Sequence, residues 1–186
     1  MNILHIDSCA LGDHSSSRQV TSAAMTALTA AYPHATVLYR DLAASPLSHA
    51  SGPLLQVISQ RWDADIPMHA ELRAEALQSA SLMQEFHEAD IIVLGAPMHN
   101  FSVPSTLKAW LDRLLELPSA DNTRREVRLL LVTAGCGALK VAAADQLMNY
   151  HQTQLKAAFA FLGIERVKVI TGMDDLPAAL DFRHAA

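Results

Sequence analysis

The chain has 186 residues, 51% of them hydrophobic and 18% charged, with a formal charge of -5 and a pI of about 5.9. That length and apolar content suit a single domain over residues 1–186 with a substantial core. The acidic balance, without an Arg/Lys-rich tail or basic repeat, excludes long-range attraction to nucleic acid or anionic lipid.

In chain order, the first apolar run is residues 3–6, followed by helical spacing over residues 17–31. Pro33 disfavours α geometry at Tyr32 and lacks a donor of its own, so Tyr32-Pro33 ends that helix. A second strand is expected over residues 36–39. Residues 42–53, with Ser, Ala, Gly and Pro throughout, read as a loop over the sheet edge or its C-terminal end. Trp62 stands in a less regular region and is a candidate interface or pocket-cover residue.

Residues 70–88 carry helical spacing, residues 91–95 form a third apolar run, and residues 105–117 form the next helix. There Leu107, Trp110, Leu111, Leu114 and Leu115 share an apolar face that covers the sheet or forms a dimer seam, and Trp110 is a packing residue. Residues 127–133 read as the fourth strand and residues 142–162 as a long helix, capped by Gly163 before the last strand at residues 167–170. Residues 176–186 are a short terminal helix or a frayed end. Strands alternating with helices imply an α/β fold whose parallel sheet is covered on both faces.

Open α/β sheets bind ligands outside the C-terminal ends of their strands, which puts three loops together. The first, DSCALGDHSSSR, runs from Asp7 to Arg18 into a helix, where hydroxyls and free backbone donors suit a phosphate dianion. Arg18 adds charge there or faces solvent. A serine-rich N-cap without a ligand fits the same residues. Neither a Walker loop nor a dinucleotide fingerprint is present, which argues against a nucleoside triphosphatase.

The second loop joins Pro97 and Pro104, which restrict the backbone around Met98, His99, Asn100 and Phe101, the residues suited to flank a planar ring. The alternative is a rigid loop with Phe101 in the core and His99 exposed. In the third loop, Thr133, Ala134, Gly135, Cys136 and Gly137 allow close approach by a flat ligand, or make an ordinary strand-to-helix turn. Three compatible loops at one sheet end carry more weight than any one of them.

These segments resemble the FMN-dependent NADH:quinone oxidoreductase family, also called NADH-azoreductases, within the flavodoxin-like superfamily. APMHNFSVPSTLKAW, residues 96–110, is close to the family pattern PMYNFxxPxxLKxWxD, and residues 7–18 resemble DSSxxGxxSxSR. The resemblance extends from Met1 to about Met173 and includes Arg40-Asp41-Leu42 and Phe161-Leu162-Gly163-Ile164.

It implies a flavodoxin-like three-layer sandwich with a five-stranded parallel sheet in the order 2-1-3-4-5. It also implies bound FMN, with Ser15, Ser16 and Ser17 at the phosphate and Cys9 where the family commonly has serine. Met98, His99, Asn100 and Phe101 would line the isoalloxazine, His99 replacing the usual tyrosine. Thr133 to Gly137 stand in place of TSRGG near the polar edge of the ring. NADH or NADPH would be the electron donor, a quinone or an azo compound the acceptor, and a homodimer the assembly. The family's GVTFRYTxxGPxGLLxGK segment is missing, with only residues 117–126 in that interval.

The implied chemistry is two-step redox catalysis, in which the protein positions nicotinamide and acceptor in turn and tunes the cofactor. Backbone groups of residues 99–101 are expected near N5 and O4 of the ring. Asn100 holds the turn or the ring, and His99 positions the flavin or the acceptor. The different-class alternative is a nonenzymatic flavodoxin-like FMN-binding or regulatory protein. A serine hydrolase is a further rival, although no GxSxG elbow occurs.

Two cysteines are too few for a secreted disulfide scaffold. In the order 2-1-3-4-5, Cys9 and Cys136 leave strands two spacings apart, about 9.5 Å, beyond the roughly 7 Å an unstrained disulfide spans. Nine histidines show no HExxH or compact Cys/His spacing, so no metal site is expected. Ile3-Leu4-His5-Ile6 at the start, without a basic region and long apolar stretch, leads us to expect neither signal peptide nor membrane anchor. A cytoplasmic protein is the expectation.

Overall fold

A parallel strand buried on both faces needs apolar residues at every position. Ile91–Gly95 (β3) meets that condition, being buried throughout its five residues. It lies at the centre of a sheet with Asn2–Asp7 (β1), Thr36–Asp41 (β2), Arg128–Val132 (β4) and Arg166–Ile170 (β5). The order is β2-β1-β3-β4-β5 and every pairing is parallel, as the flavodoxin-like reading requires. The computed structural model describes residues 1–116, 126–133 and 144–181.

Helices Ser16–Ala31 (α1), Gly52–Ile58 (α2), Ala70–Glu88 (α3), Ser105–Glu116 (α4), Ala144–Phe161 (α5) and Leu176–Leu180 (α6) complete the layers. Side chains alternate across the sheet. Ile3, Ile91, Val93, Leu130 and Val132 pack against Val20, Ala24 and Leu28 of α1 and Leu176 of α6. Leu4, Ile6, Ile92, Leu94, Leu129 and Leu131 pack on the other face against α3, α4 and α5. There Trp110 is 1% exposed, with its ring centroid 6.2 Å from Phe86 and 6.5 Å from Phe159, which makes it the packing residue its spacing indicates.

Coverage of the sheet stops at β2. Val37, Leu38 and Tyr39 are exposed, because β2 is the edge strand and the helices lie over the inner strands. A second difference is α2, which starts inside the segment expected to be a loop. Its start has its own logic: Ser51 Oγ accepts from the Leu54 N–H at 3.2 Å, and Pro53 occupies the first turn, where a missing donor is tolerated. Leu54 and Ile58 then bury the short helix.

The ends of α1 and α5 follow the sequence. α1 ends at Ala31, and Tyr32 before Pro33 has left the helical region, with φ -130° and ψ 71°. After α5, Gly163 has φ +84°; its N–H donates to the Ala160 carbonyl and Ile164 N–H donates to Phe159. These are the paired bonds of a Schellman cap, and buried Ile164 and Phe159 supply its apolar contact. The terminal segment contains α6, ending at Leu180.

Candidate functional site

The register aligns Asp7, Asp41, Gly95 and Val132, so the exits of β1, β2, β3 and β4 lie side by side. Asp7 turns its carboxylate under α1. It is 4% exposed and accepts from Thr21 Oγ1 at 2.8 Å and Tyr39 Oη at 3.1 Å. Gly95 makes room for it, since a Cβ at that position would lie 2.9 Å from Asp7 Oδ1. His5 Nε2, 3.4 Å from the same carboxylate, closes the cluster.

Arg18 is drawn inward rather than aimed at solvent, the second of its two sequence expectations. Its Nε and Nη2 donate to the Cys9 carbonyl at 3.2 and 3.0 Å, and Nη2 also reaches Asp41 at 2.7 Å. Two carboxylates on the β1 and β2 exits attract the guanidinium inward, where it clamps the first loop to α1. The guanidinium in turn holds the Asp41 carboxyl below its usual range, aided by the Ala44 and Ala43 N–H groups. Burial, with Asp7 adding to it, pushes the Tyr39 phenol up.

Ser15 caps α1, its Oγ accepting from the Arg18 N–H at 3.3 Å and lying 2.9 Å from Ser17 Oγ. Ser15 and Ser17 are buried, whereas Ser16 is exposed. The first turn holds no acidic residue. Its unpaired N–H groups and hydroxyls therefore form a donor set compatible with a phosphate, and the nearby carboxylates of Asp7 and Asp41 are already satisfied by Arg18, Thr21 and Tyr39.

After β3 the chain folds back on itself. His99 N–H donates to the Ser102 carbonyl at 2.7 Å and Ser102 N–H returns to His99 at 3.0 Å. Between them Asn100 has φ 47° and Phe101 φ 70°, the paired positive values of a primed two-residue hairpin turn. Asparagine is common there and phenylalanine is not. Phe101 is 62% exposed while Met98 and Pro97 are buried and His99 is partly buried. The rigid-loop alternative, with Phe101 in the core and His99 exposed, has the two residues the wrong way round.

The first two loops meet. Cys9 Sγ lies 3.6 Å from His99 Nε2, Ser8 Oγ donates to the Gly95 carbonyl at 2.6 Å, and Thr106 Oγ1 donates to the Ser8 carbonyl at 3.2 Å. From α5, buried His151 donates through Nε2 to the Ala96 carbonyl at 2.9 Å, and Gln152 reaches Thr133 Oγ1 at 2.9 Å. A carbonyl only accepts, so Nε2 carries the His151 proton, and burial holds the ring below its ordinary pKa. Thr133 is fully buried at the β4 exit. Ala134, Gly135, Cys136 and Gly137 lie outside the described residues, as does most of the shortened interval after α4.

A groove of about 460 Å³ runs along this junction, lined by Ser8, Ala10, His99, Asn100 and Thr106, with His49 and Lys108 on its walls. Its volume is in the range of small-molecule sites. Sequence reasoning missed Ser8, His49, Thr106 and Lys108. Ser8, Thr106 and Lys108 lie inside the two quoted motifs, so position was a usable signal for them. His49 had none, because its placement depends on Arg113. That buried guanidinium donates to the Ser48 carbonyl at 3.0 Å and Oγ at 2.7 Å and to Ser79 Oγ at 3.1 Å, anchoring the loop after β2. Lys108 pairs with Asp112 one helical turn on. Among the described residues no group of three His, Cys, Asp or Glu side chains is placed to hold a metal ion.

Residues 1–185 match a family described as having a flavodoxin-like fold. An FMN-dependent NADH:quinone oxidoreductase of Methylocella silvestris is 42% identical over 178 residues, covering 91% of this chain and 86% of that protein. One from Rhizobium meliloti is 36% identical, covering 91% and 84%. Among solved structures, an FMN-dependent NADH-azoreductase from Bacillus anthracis in complex with FMN superposes with a TM-score of 0.75 at 21% identity, covering 97% of this chain and 92% of that one. The NAD(P)H:quinone oxidoreductase of Methanothermobacter marburgensis gives 0.70 at 18% identity, covering 100% and 98%. The structural likenesses establish the fold, and identity sustained along nearly the whole chain establishes more: this protein belongs to the FMN-dependent NADH:quinone oxidoreductase family.

Proposed function

We propose that the protein is an FMN-dependent oxidoreductase that passes electrons from NADH or NADPH to quinones, and to azo compounds as a second acceptor class. The observation that carries this reading is the meeting of the β1 and β3 exits at Cys9 and His99, beside the serine-capped start of α1 and along an open groove. A phosphate tether and a planar ring need those two features side by side.

Bound FMN supplies two-electron carrier chemistry between a reduced nicotinamide and the acceptor. Ser15, Ser16 and Ser17 and the first amides of α1 would hold its phosphate, while Met98, His99, Asn100 and Phe101 and, by motif position, the segment from Thr133 to Gly137 would border the ring. Arg18 acts indirectly: by clamping the Cys9 carbonyl it fixes the first loop against α1. The positive φ values of Asn100 and Phe101 make the tight turn that sets His99 and Asn100 on the groove, where they would orient the acceptor. No protein nucleophile is needed. Ser8, Ser15 and Ser17 direct their hydroxyls to the Gly95 carbonyl or to one another rather than to an imidazole, which disfavours the hydrolase reading.

A quinone needs one two-electron transfer, whereas cleaving an azo bond to amines needs two. Exposed Phe101 and Leu11, on the turn and on the first loop, support assembly as a homodimer, which we place in the cytoplasm. Among the described residues no helix is long and apolar enough to cross a membrane.

Anaerobic stopped-flow spectroscopy of FMN-reconstituted protein tests the reading. Flavin absorbance is expected to bleach on mixing with NADH or NADPH and to recover on adding a quinone. Bound FMN that neither nicotinamide bleaches would instead identify a nonenzymatic flavin-binding protein.

A further inference from the structure

The residues of the first two loops that stand where the related pattern has serine and tyrosine, Cys9 and His99, face each other across the β1 and β3 exits at 3.6 Å. Cys9 is 2% exposed, and the Arg18 guanidinium holds its carbonyl, so α1 fixes the backbone that carries the thiol. A thiol is a weak donor and a weak acceptor. A neutral imidazole has a single N–H, and the partner of one ring nitrogen decides which of the two carries it.

We propose that Cys9 is a positioning residue for His99. Its S–H donates to Nε2, which puts the ring proton on Nδ1 and offers Nδ1–H to the groove as a hydrogen-bond donor for the carbonyl oxygen of a bound quinone. This rests on the quinone reductase reading and deepens it by naming the donor that orients the acceptor.

The other groups around the ring leave this task to the thiol. His49 from the loop after β2 and Lys108 from α4 line the same groove, and the Lys108 ammonium pairs with Asp112. Arg18, behind Cys9, is engaged by Asp41 and Asp7. No carboxylate lines the groove among the described residues.

The charge state of His99 supplies a diagnostic. In the cationic ring both nitrogens carry protons, and Nδ1 donates whatever Cys9 does. The contribution of Cys9 is therefore confined to the neutral ring.

The test compares FMN-loaded wild type, Cys9→Ser and Cys9→Ala, each labelled with ¹⁵N-histidine, with His99→Gln used to assign the ring signals. Ring-nitrogen shifts are followed from about pH 5.5 to 9, alongside kcat/KM for a quinone. Wild type and Cys9→Ser are expected to hold the Nδ1–H tautomer of the neutral ring. Cys9→Ala is expected to lose that tautomer and to lower kcat/KM roughly 3- to 10-fold, the effect of one neutral hydrogen bond, only where the ring is neutral. A wild-type ring in the Nε2–H form, or a Cys9→Ala ring still in the Nδ1–H form, would overturn the proposal. Absence of flavin reduction by nicotinamide in every variant would strike the reductase reading instead, while the ring shifts still decide the Cys9–His99 contact.

Discussion

Phe101 occupies a backbone conformation that glycine would hold without strain, and it exposes its ring there. A left-handed conformation costs a side-chain-bearing residue about 1–2 kcal/mol, and such strain persists where the surroundings impose it, often at functional sites. An exposed ring recovers little of that by burial. Phe101→Gly is accordingly expected to stabilise the flavin-free protein by about 0.5–1 kcal/mol, the relieved strain being partly offset by the greater freedom of glycine in the unfolded chain. Urea unfolding measures it, and a destabilised variant would mean that the ring is packed against something in solution. The same variant is expected to lower quinone turnover, because glycine loosens the turn that sets His99 and Asn100 on the groove.

At the scale of elements, the start of α1 has two tasks that single substitutions separate. Ser15 caps the helix and borders the proposed phosphate position, whereas Ser17 sits inside the first turn with its hydroxyl on Ser15. Ser15→Ala is expected to cost about 1 kcal/mol of stability through the lost cap and to weaken FMN binding as well. Ser17→Ala is expected to weaken FMN binding with a smaller loss of stability. Thermal unfolding of flavin-free protein and fluorescence titration with FMN report the two effects independently. Equal loss of stability in both variants, with FMN affinity unchanged, would leave this helix start a structural cap only.

Across the whole molecule, His151 links α5 to the exit of β3 through the Ala96 carbonyl and so couples the helical layer to the loop that carries His99. Burial lowers its folded-state pKa beneath the ordinary imidazole value of 6.5. The unfolded chain thus binds a proton at a pH where the folded chain does not. This contribution to stability is fully present above pH 6.5 and declines as pH falls from there through the lower folded-state value. Urea unfolding of flavin-free protein is expected to show that decline, and His151→Gln to flatten it. An unchanged slope in the variant would place the dependence on another group. Asp41 contributes in the same direction but lower, below the ordinary carboxylate value of 3.8, so the two ranges do not overlap at mildly acidic pH.

The sequence by itself determined the order and type of the main elements, because an all-apolar strand such as IIVLG and an apolar helix stripe such as Leu107, Trp110, Leu111 and Leu114 announce their surroundings locally. It also singled out His99, Asn100 and Phe101, since two prolines around a short polar and aromatic segment are legible without contacts. α2 escaped because Ser51, Gly52 and Pro53 belong to loop composition and to helix starts alike, and only burial of Leu54 and Ile58 separates the two. Tertiary structure alone decided where Arg18 points, that Arg113 sets His49 on the groove, and that Cys9 meets His99. Those outcomes depend on charges and donors brought together from distant parts of the chain, and a charged side chain follows the nearest buried partner, which no local pattern of residues encodes.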